Sequence, residues 1–310
     1  DMPQLTPVAD RLPPMPLPDL GGRRIVITGA SSGLGRAAAN TLAATGAQLV
    51  LGVRSIERGE RVAAEIIAAR PSAQVEVEQV ELGSLASISA FAGRVGAHPL
   101  DILINNAGLS AADPSQVTED AFDLQVGVNY LGAYALTAGL LPSLTAAAGR
   151  VVMLGSMMAR RGQIDENLGL PTGSTVRSYS NSKLATVVFA TELARRLAAA
   201  GSQVTATAAH PGWAQTAIFA TAGPPAFVDR IGEFTGTIQS AADGAQPILL
   251  AATAPEPASY YGPTRRFGAA GPAAAVPLPS AALVDGIGTL LWRVSQERAG
   301  LSIDVRGSKA

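Results

Sequence analysis

Six short apolar runs, alternating with longer alanine-rich stretches, restrict this chain to very few folds. The runs lie at 24–28, 48–53, 74–81, 102–105, 150–155 and 203–209, and a short seventh at 260–262. Stretches of helical composition at 36–45, 56–69, 85–95, 118–141 and 180–200 separate them. Runs that are apolar at consecutive positions are buried on both faces. Alternated with helices, they predict a mostly parallel sheet covered on each side. No fixed repeat or compositional break divides the chain. The expectation is one doubly wound α/β domain over 21–310 with a seven-stranded sheet. Residues 1–20 carry six prolines, which block helix and sheet pairing, and predict an extended arm.

Composition excludes several kinds of chemistry. Apolar residues make up 47% of the 310-residue chain and charged residues 15%, as expected for a well-buried core. A net charge of -1 leaves no basic footprint for nucleic acid. The absence of cysteine removes disulfides and thiolate zinc sites. Two histidines, His98 and His210, are too few for a histidine metal cage, so no metal is expected. Redox chemistry must then come from an organic cofactor. No stretch reaches the roughly 20 apolar residues of a membrane helix, and the start lacks the pattern of a signal peptide. No membrane anchor and a cytoplasmic location are the expectations.

The first run leads into Gly29-Ala30-Ser31-Ser32-Gly33-Leu34-Gly35, at the opening of the first helix. The first glycine allows a tight turn. The second lets the backbone approach a pyrophosphate, and the third lets the helix pack closely on the sheet. Helix amides then face the phosphates along a favourable dipole. This context predicts a Rossmann-type nucleotide site. At the end of the second run, an enzyme selective for NAD needs a carboxylate for the ribose hydroxyls. Val53 stands there, followed by Arg54, whose guanidinium can pair with a 2′-phosphate. NADP(H) is therefore the expected cofactor.

Tyr179 and Lys183 are four residues apart on a helix, so they share a face. A free phenol titrates near ~10 and is a poor base at neutral pH. A neighbouring ammonium and a pyridinium favour the phenolate. The chain has 21 arginines but two lysines, Lys183 and Lys309. A mid-helix lysine in such a chain suggests a need for a compact point charge. Ser156, just past the fifth run, can hold a substrate oxygen near Tyr179. Asn129 sits where a helix is expected, a place asparagine disfavours unless it has a task.

These motifs resemble the short-chain dehydrogenase/reductase family over nearly the whole chain from Leu20 onward. The spacing T-G-x-x-x-G-x-G, the tetrapeptide Asn105-Asn106-Ala107-Gly108 and Tyr179-Ser-Asn-Ser-Lys183 carry the likeness. It implies a tetrad of Asn129, Ser156, Tyr179 and Lys183, with Asn129 holding a water that links the lysine to solvent. It also implies that Glu81 and Leu82 contact adenine, with Glu where Asp is commoner. Asn106, Ala107 and Gly108 would leave room for the ribose. Pro211, Gly212, Trp213 and Thr216 would cover the nicotinamide. The 22 residues between Ser156 and Tyr179 exceed the usual spacing. Together with the strings Tyr-Ser-Asn-Ser-Lys-Leu-Ala and His210-Pro-Gly-Trp, they resemble the retinol-dehydrogenase-like branch.

Two segments break the alternation. The segment 157–178 is expected to form a pocket wall. The segment 214–240, with Phe219, Phe227 and Phe234, is expected to be a substrate lid, with Phe219 against substrate. The combined reading is an oxidoreductase acting on a small apolar carbonyl or alcohol. Its alternatives are a silent NADP-binding scaffold and a reductase of C=C bonds. Pairing through 118–141 or 180–200 would give a homodimer or homotetramer. If Arg54 selects the cofactor, Arg54→Glu reverses the NADPH/NADH ratio of kcat/KM. An unchanged ratio removes the argument.

Overall fold

The computed structural model describes residues 12–110, 112–214 and 238–306. Eight strands form one sheet in the order β3-β2-β1-β4-β5-β6-β7-β8. In chain order they are β1 (Arg24–Thr28), β2 (Gln48–Val53), β3 (Gln74–Gln79), β4 (Ile102–Asn105), β5 (Arg150–Leu154), β6 (Thr205–Ala209), β7 (Tyr260–Arg265) and β8 (Ala270–Ala275). All neighbours are parallel except β7 and β8. The seven-strand expectation is corrected by β8. Its sequence AGPAAA lacks the β-branched and aromatic residues that mark a strand. It survives as an edge strand, where Pro272 needs no hydrogen-bonding partner outward.

Side chains alternate across the sheet as the period of two requires. Ile25 and Ile27 enter one core and Val26 the other; Ile102 and Ile104 are divided in the same way from Leu103. The first core is closed by α1 (Gly33–Ala43), α2 (Ile56–Ala69) and a helix at Ala241–Thr253. The second is closed by α3 (Leu85–Val95), by helices at Gly132–Ala146 and Thr175–Ala199, and by Ile287–Ala299. The sequence pattern left 241–253 and 287–299 unassigned.

The helix expected over 118–141 is broken. A short turn, α4 (Leu124–Val126), opens into a π-turn over Gly127–Leu131, where the Gly132 amide donates to the Gly127 carbonyl. The regular helix α5 (Gly132–Ala146) follows. A π-turn puts one extra residue into the coil and re-aims the side chains beside it. Asn129 is one of them. The next helix, α6 (Thr175–Ala199), starts a turn earlier than the apolar pattern suggested. Ser174 caps it by accepting from the Arg177 amide. Tyr179 therefore sits inside the helix, held on both sides.

The last two helices are α7 (Ala241–Thr253) and α8 (Ile287–Ala299). Residues 12–20 of the arm run without regular structure and join α7 through Leu12 N to Asp243 and Gln246 Nε2 to the Pro13 carbonyl. Among the described residues, no helix is long and apolar enough to cross a membrane. Helix α8 packs on α5 and α6 through an aromatic cluster. Trp292 stacks on Phe189 at 6.0 Å and meets Tyr134 edge-on at 6.4 Å, while the Arg196 guanidinium lies 4.2 Å from its ring. Emptying so buried a site removes transfer energy and leaves a cavity. Trp292→Ala should lower the unfolding free energy by about 3–5 kcal/mol in denaturant titrations.

Candidate active site

The carboxyl ends of β1 and β4 meet where the strand order reverses, the usual place for a ligand in such sheets. One hydroxyl ties them. Thr28 Oγ1 accepts from the Asn106 amide at 3.1 Å and from the Ala107 amide at 3.0 Å. The Asn106 side chain donates back to the Thr28 carbonyl at 2.8 Å. Asn105 turns the other way and donates to Thr137 Oγ1 at 3.1 Å. The tie draws the two loops together so tightly that side chains are excluded. At Gly29, with φ +67, a Cβ would lie 2.8 Å from Ala107 Cα. At Gly35 it would lie 2.5 Å from both Asn106 Nδ2 and the Gly29 carbonyl.

Above this junction lies a cleft of about 780 Å³. The turn contributes Gly29, Ser31, Ser32, Gly33, Leu34 and Gly35 to its lining. Arg54 lines it from the end of β2, and Glu81 and Leu82 from the loop after β3. Asn106, Ala107 and Gly108 line it from the end of β4. Ser32 begins α1 without a side-chain cap, whereas Ser55 and Ser84 each cap their helices. The amides of α1 thus face the cleft with no hydroxyl of Ser32 on them, which suits a phosphate. Asn106 Oδ1 is buried and without a hydrogen-bond partner in the protein. A cradle with no room for a Cβ, open helix amides and an orphan acceptor fit a dinucleotide.

The sequence reading missed Ser55 and Arg58, which line the cleft beside Arg54. Arg58 lies in the first turn of α2 and Arg54 just before its cap Ser55, and the structure brings both to the cleft. Glu81 is less free than its position suggests. Its Oε1 accepts from the Gly83 amide at 3.0 Å and braces its own turn.

Pro211, Gly212 and Trp213 do not line this cleft. They follow β6 and are tied toward the β7–β8 hairpin, Trp213 N donating to the Ala269 carbonyl at 2.8 Å. The buried His210 ring accepts from the Gly212 amide at 3.2 Å, and burial beside Arg160 pushes its pKa down to about 4. It is a neutral, structural imidazole at physiological pH. Thr216, Phe219, Phe227, Phe234 and nearly all of the expected lid lie outside the described residues.

Asn129, Ser156, Tyr179 and Lys183 do not themselves line the cleft; they gather beside its lining residues Leu154 and Gly108. Lys183 is buried in α6, and its Nζ donates to the Leu154 carbonyl at 2.8 Å, at the end of β5. Both Leu154 and Gly108 line the cleft. A Cβ on Gly108 would lie 3.4 Å from Lys183 Nζ and 3.1 Å from Asn129 Oδ1. Asn129 spans the gap between the π-turn and the loop after β4. It accepts from the Leu109 amide at 2.7 Å and donates to the Leu109 carbonyl at 2.9 Å and to Ser182 Oγ at 3.0 Å. Ser156 begins a 3-10 turn over Met157–Arg161 and accepts from the Met158 amide. This turn and the loop behind it are the start of the 157–178 segment, which leads directly into α6.

The sequence expectation is a phenol lowered by an ammonium and a bound pyridinium together. In the protein alone, burial outweighs other effects and raises the Tyr179 pKa. A hydrogen bond with Ser156 is what pulls it down. Lys183 Nζ stands 5.9 Å from the Tyr179 ring centroid and spends its close contact on Leu154. Burial pulls the Lys183 pKa down to about 8. The folded protein then releases this proton before the unfolded chain does, whose lysine titrates near 10.5. Between those values the unfolded state holds more protons, so stability rises with pH. The melting temperature of the protein, measured against Lys183→Met, should move in favour of the lysine form as pH rises from 8 to 10.5. A constant difference would mean an ammonium with an ordinary pKa.

The short chain dehydrogenase family model matches residues 23–225. Dehydrogenase/reductase SDR family member 13 of Bos taurus is 43% identical over 210 residues, 66% of this chain and 54% of that protein. The chain thus spans about half the length of that relative. Retinol dehydrogenase 14 of Homo sapiens is 33% identical over 300 residues, 90% of this chain and 87% of that protein. A crystal structure of an uncharacterized protein from Mycobacterium paratuberculosis superposes with a TM-score of 0.77 at 37% identity, covering 93% of this chain and 97% of that one. A Beutenbergia cavernae structure described as an NAD(P) dependent gluconate 5-dehydrogenase, with bound NADP, gives a TM-score of 0.62 at 28% identity, covering 76% and 91%. With its glycine turn, its Asn-Asn-Ala-Gly loop and its buried tyrosine–lysine pair on one helix, the chain belongs to the short-chain dehydrogenase/reductase family, close to the retinol-dehydrogenase-like branch.

Proposed function

We propose that the protein is an NADP-dependent oxidoreductase that interconverts a carbonyl, ketone or aldehyde, and an alcohol on a small apolar molecule. The observation that carries this reading is the buried pair of Tyr179 and Lys183 beside Leu154 and Gly108, which line the nucleotide-shaped cleft. Arg54 and Arg58 at its outer end, with apolar Val53 where a carboxylate would select NAD, favour a 2′-phosphate. The relative named for retinol supports an apolar alcohol, and the neighbour holding NADP supports the nucleotide.

The glycine turn and the α1 amides would hold the pyrophosphate. Asn106, Ala107 and Gly108 would flank a ribose, which Lys183 would also hold. Pro211, Gly212 and Trp213, which stand outside the lining of this cleft, would meet the nicotinamide beyond it. When bound, this group supplies or accepts the hydride.

The protein's own part is proton transfer. Ser156 Oγ and Tyr179 Oη share the substrate oxygen, and Tyr179 gives it a proton as the carbonyl becomes an alcohol. In the oxidation it takes the proton back. Burial raises the phenol's pKa, so the tyrosine holds its proton at neutral pH and is ready as an acid. Lys183 keeps positive charge near the oxygen that loses the proton, and Asn129 would hold a water leading to solvent.

Tyr179→Phe should keep NADPH binding, followed by nucleotide fluorescence, and lower kcat by about 10²- to 10⁴-fold. The assay is NADPH absorbance with a panel of apolar aldehydes, ketones and secondary alcohols, with products identified. Near-normal turnover by this variant rules out the assignment. Saturated-bond products from unsaturated carbonyls would move the reading to C=C reduction.

A further inference from the structure

Three polar contacts join the segment that carries Asn129 to α6. Gln125 Nε2 donates to the Thr175 carbonyl at 2.9 Å. The Ser178 hydroxyl donates to Asp123 Oδ2 at 2.6 Å. Asn129 Nδ2 donates to Ser182 Oγ at 3.0 Å. Residues 175, 178 and 182 are three and four apart, so these rungs run along one face of α6. Tyr179 and Lys183 each directly follow a rung.

The middle rung differs from the others. It joins a carboxylate to a hydroxyl, so it is charge-assisted, short and strong. Both side chains are buried. Asp123 Oδ1 already accepts from the Gln125 and Val126 amides at 3.0 Å each, which caps α4. Capping therefore does not need Oδ2, and the bond to Ser178 is additional. Ser178 also shares a hydrogen bond with Thr172 Oγ1 at 2.8 Å, and the Asp123 amide donates to the Gly169 carbonyl at 2.7 Å. The long segment before α6 is drawn into the same knot.

Apolar packing along α6 resists separation but says little about axial position. Directional hydrogen bonds define it. We infer that Asp123 and Ser178 are positioning residues. Their bond sets the register of α6 against the Asn129 segment, and so the place of the Tyr179 hydroxyl and the Lys183 amine relative to Ser156. This rests on the reading of Tyr179 as the proton donor.

Ser178→Ala tests it in the full chain, because the α4 cap stays intact and nothing is overpacked. Asp123→Asn is the conservative companion, since an amide can still cap through oxygen and meet Ser178 through nitrogen. Leu124 and Val128 of the same segment line the cleft and Lys183 would hold the ribose, so the Kd for NADPH by fluorescence is followed in each variant and should change far less than kcat. In Ser178→Ala, kcat should fall about tenfold or more, a fraction of what an ångström of misplacement can cost. Its pH profile of kcat should be displaced, and Asp123→Asn should fall between it and the parent protein. Parental kcat and an unmoved pH profile in both variants would overturn the proposal. So would losses in kcat that merely follow the loss of folded protein by circular dichroism. Tyr179→Phe is run beside them. If it keeps turnover, the proton-donor reading itself fails; if it is inactive while Ser178→Ala is fully active, only the positioning role fails.

Discussion

At the reversal of strand order, a single threonine hydroxyl ties the end of β1 to the loop that leaves its neighbour β4. Thr28 takes the amides of Asn106 and Ala107, and Asn106 answers through the Thr28 carbonyl. Everything in the cleft follows from that closeness. Gly29 and Gly35 have no alternative there, because any Cβ would overlap backbone or side chain. The same junction leaves Asn106 with a buried acceptor that has no partner in the protein. Such an atom costs stability unless a ligand or water reaches it. The fold thus carries at its centre a polar demand that a bound nucleotide could meet.

A second cost lies close by. Lys183 is a buried ammonium in a chain of 21 arginines and two lysines, and its Nζ donates to the Leu154 carbonyl. Burial lowers its pKa to about 8, yet at neutral pH it remains mostly charged. Arginine's wide planar fork would not serve where one compact donor must fit between Leu154 and Gly108. The surrounding structure holds this charge in place. The π-turn re-aims Asn129, Asn129 grips both ends of Leu109, and α6 is pinned along one face by three polar rungs. On the far side, Tyr130, next to Asn129, shares a hydrogen bond with Ser295 of α8. The C-terminal helix therefore backs the site without touching it.

Much of this was legible in the chain. The apolar runs located five strands and the short seventh because strands buried on both faces leave an unbroken apolar signature, while β3, at the sheet edge, shows as the alternation QVEVEQ. The four-residue spacing of Tyr179 and Lys183 placed them together, since helical geometry is local. The strand β8 was invisible because alanine, glycine and proline carry no strand signal; pairing with β7 creates it. The π-turn was hidden for a related reason. Its residues Gly127–Leu131 include glycine, valine and asparagine, which weaken a helix without saying where the coil widens, and contacts with α6 and α8 hold it there.

What the sequence determined by itself is what depends on neighbours along the chain: the identity of most strands and helices, the glycine turn, the basic end of β2, and the tyrosine–lysine spacing. Tertiary structure decided what depends on burial and on partners distant in sequence. It set the rise of the Tyr179 pKa and the fall of that of Lys183, both caused by desolvation. It also gave Lys183 a carbonyl from β5, and joined Asp123 to Ser178 across 55 positions. Charge solvation and hydrogen-bond pairing are properties of a filled volume, and a one-dimensional pattern does not contain them.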